Sequence, residues 1–183
     1  DIVKEYMEKK YPRNPIFTLV GTIIEKNKVD LPYEMASMDK IKPESGGLSS
    51  WMQKYTGPYV LSCKLDGVSG LYSTDGDKPK LYTRGNGHIG QDVSHLIPFL
   101  NLPKVKNLVV RGEFIIPKTV FEEKYADKYA NIRNLTAGIV NRQTIDAKAA
   151  DLHFITYEMI KPELTPSAQM EKMIDYGFET VQH

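Results

Sequence analysis

Residues 59–83 have the sequence YVLSCKLDGVSGLYSTDGDKPKLYT. Apolar, β-branched and aromatic residues run through Tyr59–Leu65 and Val68–Ser73, and a third short run follows at Leu81–Thr83. Between the second and third runs, Asp75-Gly76 is a hairpin signal. The stretch therefore predicts three consecutive strands that form an antiparallel meander.

Outside this meander, helical and strand patterns occur in separate blocks rather than in strict alternation. Apolar residues spaced three and four positions apart predict helices at Ile2–Tyr11, Leu48–Tyr55, Lys118–Tyr129, Asn134–Val140 and Ser167–Tyr176. Runs of β-branched and aromatic residues predict two further strands, Asn107–Ile116 and Leu152–Ile160. Because the strands and helices are segregated, the sequence favours an α+β fold over a doubly wound parallel sheet.

In two of the predicted helices, the apolar residues predict which face is buried. In the earlier helix the stripe consists of Leu48, Trp51, Met52 and Tyr55. In the last helix the residues expected to point inward are Met170, Met173 and Ile174, and Gly177 is expected at the helix end.

The length and composition fit one globular domain. Of the 183 residues, 41% are hydrophobic and 26% are charged, and the formal net charge is +1. No overall field therefore attracts nucleic acid, and any such contact must use a local patch. No apolar run has membrane-spanning length, so the sequence predicts no membrane partner. Cys63 is the only cysteine, which excludes an intrachain disulfide and a cysteine-based zinc site and suits a reducing compartment.

Lys64 and Asp66 lie two positions apart in the first predicted strand, so strand alternation places them on one face. One interpretation is a partly exposed ion pair. The other is a nucleophile with a neighbouring carboxylate, because an attacking lysine must lose its proton, and desolvation or nearby cations favour that loss. The pattern Lys-x-Asp-Gly fixes only three residues and is weak by itself.

A glycine-rich stretch, residues 83–94, follows the third predicted strand. Three glycines occur within six positions, and successive amides in such a loop can form a nest that binds an anion. Arg84, at the strand end, could bind a phosphate or a ribose through its guanidinium. The alternative is an ordinary glycine-rich hairpin with a surface arginine.

Three further stretches place polar groups where they could contact a ligand. Arg111 and Glu113 share one face of an apolar strand, as a structural ion pair or as a carboxylate that faces a ribose or a metal. Tyr157 is either a core tyrosine or a platform on which a base stacks. Arg133 and Arg142 could contact phosphates, or they could be solvated residues at helix ends.

Taken in order, these stretches resemble the adenylation domain of NAD-dependent DNA ligases, a family of covalent nucleotidyltransferases. Residues 64–67 (KLDG) are similar to its nucleophile motif, and residues 83–94 are similar to its signature Thr-Arg-Gly-Asp-Gly-x-x-Gly-Glu-Asp-Val-Thr. Residues 32–39 are similar to its upstream segment Pro-Met-x-Ser-Leu-Asp. The resemblance implies an antiparallel-sheet, ATP-grasp-like domain with flanking helices, partial and truncated at its C-terminal end over residues 31–183. Residues 1–30 would form an N-terminal helix and lead-in.

The resemblance implies a reaction in three steps. Lys64 attacks the α-phosphate of NAD, releases nicotinamide mononucleotide and carries AMP on its nitrogen, and Asp66 assists nearby. The AMP then moves to the 5′-phosphate of a DNA nick, and the 3′-hydroxyl displaces it to seal the strand. The implied cofactors are NAD and Mg²⁺, with no protein metal ligand predicted. The implied partners are nicked double-stranded DNA and the remaining ligase domains, in the cytoplasm at a nucleoid or a viral replication site.

The same resemblance assigns roles to the other candidate residues. Those expected to bind the nucleotide are Ser37, Met38, Ser62, Arg84, Glu113 and Tyr157, with the tyrosine stacked on adenine. Arg133 would face phosphates, and Arg142 lies one residue beyond the position of the family's second arginine. At position 62 the serine replaces a glutamate of bacterial members, so hydrogen bonding to adenine is expected to differ.

Where the sequence departs from the family signature, it resembles the ligases of large DNA viruses more than the bacterial ones. Asn86 and Gln91 stand where the signature has aspartate and glutamate. The family's later lysine motifs and its nicotinamide-binding module are not recognisable, so we expect this chain to be unable to ligate alone. The alternatives are an ATP-dependent DNA or RNA ligase and a non-catalytic nucleic-acid-binding domain of the same fold.

Overall fold

A computed structural model of the chain describes Tyr6, residues 9–11 and residues 27–183. The predicted first helix, and most of the lead-in at residues 1–30, lie outside these described residues. Within the described part the strands are β1 (Lys28–Asp30), β2 (Val68–Ser73), β3 (Lys80–Thr83), β4 (Ile89–Gln91), β5 (Val109–Ile115) and β6 (His153–Lys161). The α-helices there are α1 (Gly47–Lys54), α2 (Lys118–Lys124), α3 (Ile132–Val140) and α4 (Pro166–Asp175). Short 3₁₀ helices occupy Pro43–Ser45, Ser94–Phe99 and Ala147–Asp151.

A four-stranded antiparallel sheet in the order β3-β2-β5-β6 organises the fold. The hairpin at Asp75-Gly76 joins β2 to β3, as predicted, and β5 pairs with the other edge of β2. Strands β1 and β4 form a separate two-stranded antiparallel sheet. The predicted α+β class with antiparallel sheets and several helices is therefore confirmed.

The two faces of the main sheet have different environments because successive side chains point to opposite sides. One face carries Tyr72, Val110 and Phe114, which are fully buried in the large hydrophobic core. Helices α3 and α4 contribute to that core through residues that include Leu135, Ile139, Met170 and Met173. Burial of each large side chain stabilises the fold by about 1.5–3 kcal/mol. The opposite face carries polar groups, and the candidate site lies there.

Helix α1 is present as predicted, but the predicted burial of its apolar stripe is wrong. None of its residues is buried, and the stripe residues Leu48, Trp51, Met52 and Tyr55 are all exposed. The indole of Trp51 lies instead against two neighbouring rings, with centroids 5.3 Å from Tyr55 and 5.2 Å from Tyr59. The spacing of apolar residues predicts that a helix is amphipathic. It does not predict whether another element packs against the apolar face.

Three other details differ from the sequence predictions. Residues 59–66 form no strand, so the alternation argument for Lys64 and Asp66 does not hold. Helix α2 ends at Lys124 rather than at Tyr129. In α4, Met170 and Met173 are buried as predicted, whereas Ile174 is 53% exposed.

Candidate active site

A pocket of about 390 Å³ lies against the polar face of the main sheet. Six of the residues singled out from the sequence line it together: Met38, Ser62, Lys64, Arg84, Glu113 and Tyr157. They come from a loop, from the irregular segment before β2, from the end of β3, and from β5 and β6. The fold therefore gathers residues up to 119 positions apart around one cavity.

Lys64 lies in the irregular segment that forms one wall of the pocket. Residues 62–65 all line the cavity, so this segment runs along it rather than crossing it. The segment is tied to the end of the chain, because the Cys63 amide donates a hydrogen bond of 3.0 Å to the Gln182 carbonyl. Lys64 is exposed at this wall, and its positive charge lowers the pKa of Glu113 in β5.

Glu113 is the buried carboxylate of the pocket, with only 7% of the residue exposed. Its Oε1 accepts a hydrogen bond of 3.1 Å from the Gly67 amide, and its Oε2 accepts one of 2.8 Å from the Ser69 hydroxyl. Burial raises the pKa of Glu113, and those hydrogen bonds, with the positive charges of Lys64 and Arg133, oppose the rise without cancelling it. The carboxylate is thus fixed in orientation, and its charge is balanced by cations nearby.

This raised pKa predicts a pH-dependent stability. The folded state holds the Glu113 proton more tightly than the unfolded state, so stability falls as pH rises from the unfolded pKa through the folded pKa. In Glu113→Gln, we expect this decline to be absent, because glutamine does not titrate. Urea unfolding of the 183-residue chain at a series of pH values measures the difference.

Asp151→Asn is the control with the opposite sign. Hydrogen bonds from Lys124 and Tyr125 lower the pKa of Asp151, so its carboxylate adds stability that is lost as pH falls. The two variants should therefore change the pH profile in opposite directions. A Glu113→Gln profile parallel to that of the parent chain would contradict the assignment.

Arg84 reaches the pocket from the end of β3. Its Nη1 donates a hydrogen bond of 3.0 Å to the Ser37 hydroxyl, and its backbone amide donates one of 2.9 Å to the Ser69 carbonyl. Ser37 itself does not line the pocket, although its neighbours Ala36 and Met38 do. The arginine therefore links the loop before α1 to the sheet.

The glycine-rich loop after Arg84 agrees with the hairpin alternative rather than with an anion nest. The amides of residues 86 and 87 donate to the carbonyls of Ile89 and Arg84, and the amides of residues 88 and 89 donate to Oδ1 of Asn86. These four amides are therefore occupied within the loop. The loop positions Arg84 rather than holding a ligand through its backbone.

The two departures in this stretch have structural roles. Oδ1 of Asn86 accepts its two amide bonds at 3.0 and 2.8 Å, a function that an aspartate could serve equally well. Gln91 is buried, and its Nε2 donates to the Asn141 carbonyl at 3.4 Å. A glutamate carboxylate could not donate there, so this position is suited to the amide.

A β-bulge in β6 shapes the far wall of the pocket. Arg111 of β5 is opposite Glu158 and Gly112 is opposite Thr156, so Tyr157 is an extra residue without a partner. Because a bulge re-aims the side chains around it, Tyr157 and Glu158 both line the pocket. Burial raises the pKa of the Tyr157 hydroxyl to about 12, and the charges of Glu113 and Glu158 add to the effect. The ring is thus neutral.

Asp66, Arg133 and Arg142 lie outside this pocket. Asp66 pairs with Arg133 at 2.8 Å, not with Lys64, and both partners are exposed. This pair borders a second cavity of about 560 Å³ between α2 and the start of α3. Arg142 is held by Asp146 at 2.8 Å and lines neither cavity, so the structure does not bring it to the site.

Several pocket residues had not been identified from the sequence. They are Ala36, Val60, Cys63, Leu65, Ser69, Glu158, Pro166, Gln169 and Met170. Strand alternation could have placed Ser69 in the pocket. It lies two positions before Leu71 in β2, so both side chains are on the polar face of the sheet. The residues of α4 could not, because only tertiary packing brings that helix to the pocket.

Residues 27–183, with the few described before them, contain no group of three or more His, Cys, Asp or Glu that could hold a metal ion. No helix in that described part is long and apolar enough to cross a membrane.

Comparison with known proteins identifies the family. The family model for the NAD-dependent DNA ligase adenylation domain matches residues 27–183. The whole chain is 39% identical to part of the DNA ligase of Acanthamoeba polyphaga mimivirus, and it covers 30% of that protein. A putative DNA ligase of Invertebrate iridescent virus 6 is 40% identical over 78% of the chain, which covers 24% of that protein. The DNA ligase of Petrotoga mobilis is 30% identical over 96% of the chain, again 30% of that protein.

The chain spans about a third or less of the length of these relatives. Identities near 40% to the viral ligases and near 30% to the Petrotoga enzyme agree with the predicted resemblance to ligases of large DNA viruses. The match to the family model extends over the main sheet, the pocket and all four described helices. The chain belongs to the family of NAD-dependent DNA ligase adenylation domains.

Proposed function

We propose that the pocket binds the adenosine half of NAD and that Lys64 becomes covalently adenylylated there. The observation that carries the proposal is that Lys64 lines one cavity with Arg84, Glu113 and Tyr157. In the reaction, the neutral Lys64 nitrogen forms a bond to the α-phosphorus, and the bond from that phosphorus to nicotinamide mononucleotide breaks. The lysine proton passes to solvent, and the nicotinamide mononucleotide leaves as its phosphate.

The other pocket residues bind and orient the nucleotide in this proposal. The neutral ring of Tyr157 stacks on the base, and Met38 borders it. Glu113, fixed by Gly67 and Ser69, accepts hydrogen bonds from the ribose hydroxyls. Arg84 exchanges its bond to Ser37 for a phosphate oxygen. Asp66 and Arg133 lie just outside, where an arginine that leaves its carboxylate partner could meet the phosphates of NAD or DNA.

Mg²⁺ fits this site as an ion held mainly by the substrate. Phosphoryl-transfer sites bind Mg²⁺ through phosphate oxygens and water, with one or two carboxylates, rather than through a dedicated protein cage. Glu113 is such a carboxylate of the pocket, and the described residues contain no preformed cluster of three or more ligands. When bound, the ion would neutralise charge that develops on the phosphates.

The later steps need more than this pocket, and we propose them for the natural polypeptide that carries these residues. Transfer of AMP to the 5′-phosphate of a nick, followed by sealing, would make nicked DNA and further ligase domains the partners. The ATP-grasp-like architecture and the cytoplasmic location, at a nucleoid or a viral replication site, belong to the same proposal. The inability of the 183-residue chain to ligate alone remains a prediction.

Mass spectrometry after incubation with one nucleotide at a time tests the function. We expect NAD with Mg²⁺ to add one AMP to Lys64 of the natural polypeptide and to release nicotinamide mononucleotide. ATP should give no adduct. An adduct with ATP alone would assign an ATP-dependent ligase instead, and no adduct with either nucleotide would favour a non-catalytic binding domain.

A further inference from the structure

We infer that Glu158 reads the edge of the base and selects adenine through its exocyclic amine. This inference deepens the proposed function and depends on it. Two acidic side chains, Glu113 and Glu158, are found among the described residues that line the pocket. Their hydrogen bonds differ in a way that assigns them different tasks.

Glu158 reaches the pocket only because of the β-bulge. Regular alternation would place it on the same face as Thr156, which is fully buried on the core side of the sheet. The extra residue Tyr157 shifts the alternation by one position, so Glu158 is opposite Arg111 and lines the same cavity as the tyrosine. A stacking ring and a carboxylate therefore stand side by side on one strand.

Glu158 keeps an acceptor oxygen for a ligand. Its Oε2 accepts a hydrogen bond of 2.7 Å from Nη1 of Arg111, whose Nη2 is in turn held by the Glu34 carbonyl. Oε1 of Glu158 has no hydrogen-bond partner among the residues that the structure describes. The arginine thus fixes the carboxylate through one oxygen and leaves the other available.

The other polar side chains of the pocket have different tasks or offer no free acceptor. In the proposed function Glu113 binds the ribose, and both of its oxygens also accept protein hydrogen bonds. In Gln169, Oε1 accepts from the Met159 amide at 3.0 Å, and Nε2 donates to the Leu164 carbonyl at 2.8 Å. The Ser69 hydroxyl donates to Glu113. The Ser62 hydroxyl also lines the pocket, but it can donate as well as accept, so it does not distinguish an amine from a carbonyl.

A carboxylate acceptor beside an aromatic platform recognises a base that presents a donor. Adenine presents the two protons of its exocyclic amine, whereas hypoxanthine presents a carbonyl oxygen at the same position. Two acceptors would then face each other, and the hydrogen bond would be lost. We expect a preference for adenine of about 10- to 100-fold, the usual effect of an unmade hydrogen bond in a binding site.

The test compares NAD with nicotinamide hypoxanthine dinucleotide, which differs from NAD only in the base. The rate of Lys64 adduct formation is measured at subsaturating nucleotide by intact mass, in the natural polypeptide that carries this chain. The ratio of the two rates should favour NAD in the parent protein. In Glu158→Gln the ratio should fall towards one, because the glutamine amide can rotate to donate to the hypoxanthine carbonyl.

Three further variants complete the design. Glu34→Gln is the matched control, since this neighbouring carboxylate is exposed, faces His88 at 3.7 Å and does not line the pocket. It should keep the parent ratio. Ser62→Ala should also keep the ratio, although it can change both rates. Glu158→Ala removes the acceptor without offering a donor, so its ratio should approach one through slower use of NAD.

The outcomes separate this inference from the proposed function. Equal use of both dinucleotides by the parent protein overturns the role of Glu158 without any variant. A parent preference that survives in Glu158→Gln and Glu158→Ala, or that only Ser62→Ala abolishes, also overturns it while adenylylation stands. Failure of the parent protein to form any adduct with NAD removes the proposed function and this inference together. Each ratio compares the rates with the two dinucleotides for one variant. A smaller folded fraction lowers both rates equally and leaves the ratio unchanged.

Discussion

Replacing Lys64 by arginine should abolish formation of the protein–AMP adduct and leave the fold unchanged. The guanidinium keeps the positive charge that faces Glu113, but arginine is not deprotonated in proteins, so no neutral nitrogen is available to attack phosphorus. We expect the rate to fall by at least about 10⁴-fold, as when a nucleophile is removed. Because Lys64 is exposed, its substitution should alter stability by less than about 0.5 kcal/mol.

The measurement is adduct formation with NAD followed by intact mass, with peptide mapping to locate the modified residue. Lys128→Arg makes the same exchange at an exposed position that lines neither cavity, and it should retain the parent rate. Urea unfolding of both variants checks that they are folded. A normal adduct yield in Lys64→Arg would place the nucleophile elsewhere and refute the proposed chemistry.

Local patterns were sufficient to predict most of the main sheet. Val68–Ser73 was predicted with the bounds that β2 has, and β5 and β6 differ from their predicted ranges by one or two residues. These strands are apolar on at least one face, so propensity and burial agree. Tyr59–Leu65 has the same local composition but pairs with no strand in the described part of the chain, and its backbone is irregular. Strand propensity does not supply a hydrogen-bonding partner.

The candidate site was predictable where a polar residue interrupts an apolar strand or ends one. Arg84, Glu113 and Tyr157 have that context, and they meet at the pocket. Glu158 was missed because period-two alternation assigns it to the core face, and a bulge is invisible to that argument. The anion-nest alternative depended on glycine spacing alone. That spacing takes no account of the Asn86 side chain, whose Oδ1 accepts hydrogen bonds from two amides of the loop.

Two glycines of the chain differ in the space around them. A Cβ added at Gly138, inside α3, would meet no atom within 4 Å. The Cβ of an alanine at Gly67 would lie 2.0 Å from the backbone carbonyl oxygen of Phe114. The structure therefore has no space for a side chain at Gly67 but has space for one at Gly138. Alanine substitutions at the two positions should differ in their effect on stability.

Replacing Gly67 by alanine should destabilise the chain by about 3 kcal/mol or more, since a clash with backbone forces one strand to move. Besides the Phe114 oxygen, the added Cβ would lie 2.9 Å from Cγ2 of Ile115 and 3.1 Å from Cγ of Glu113. The neighbouring Val68 pairs with Phe114, so any relief shifts β2 against β5 at the centre of the sheet. Urea unfolding of the 183-residue chain measures the loss.

Gly138→Ala is the matched control and should have the opposite sign. The residue lies inside α3 with open space around it, so alanine should stabilise the chain by up to about 1 kcal/mol through helix propensity. The Gly67 amide also holds Oε1 of Glu113, so Gly67→Ala should slow adduct formation even at temperatures where the variant is fully folded. A Gly67→Ala chain within about 0.5 kcal/mol of the parent, the range of ordinary surface changes, would show that the space around this glycine does not require it. Such a result would also contradict the expectation that the packing of Gly67 against β5 positions the Glu113 carboxylate.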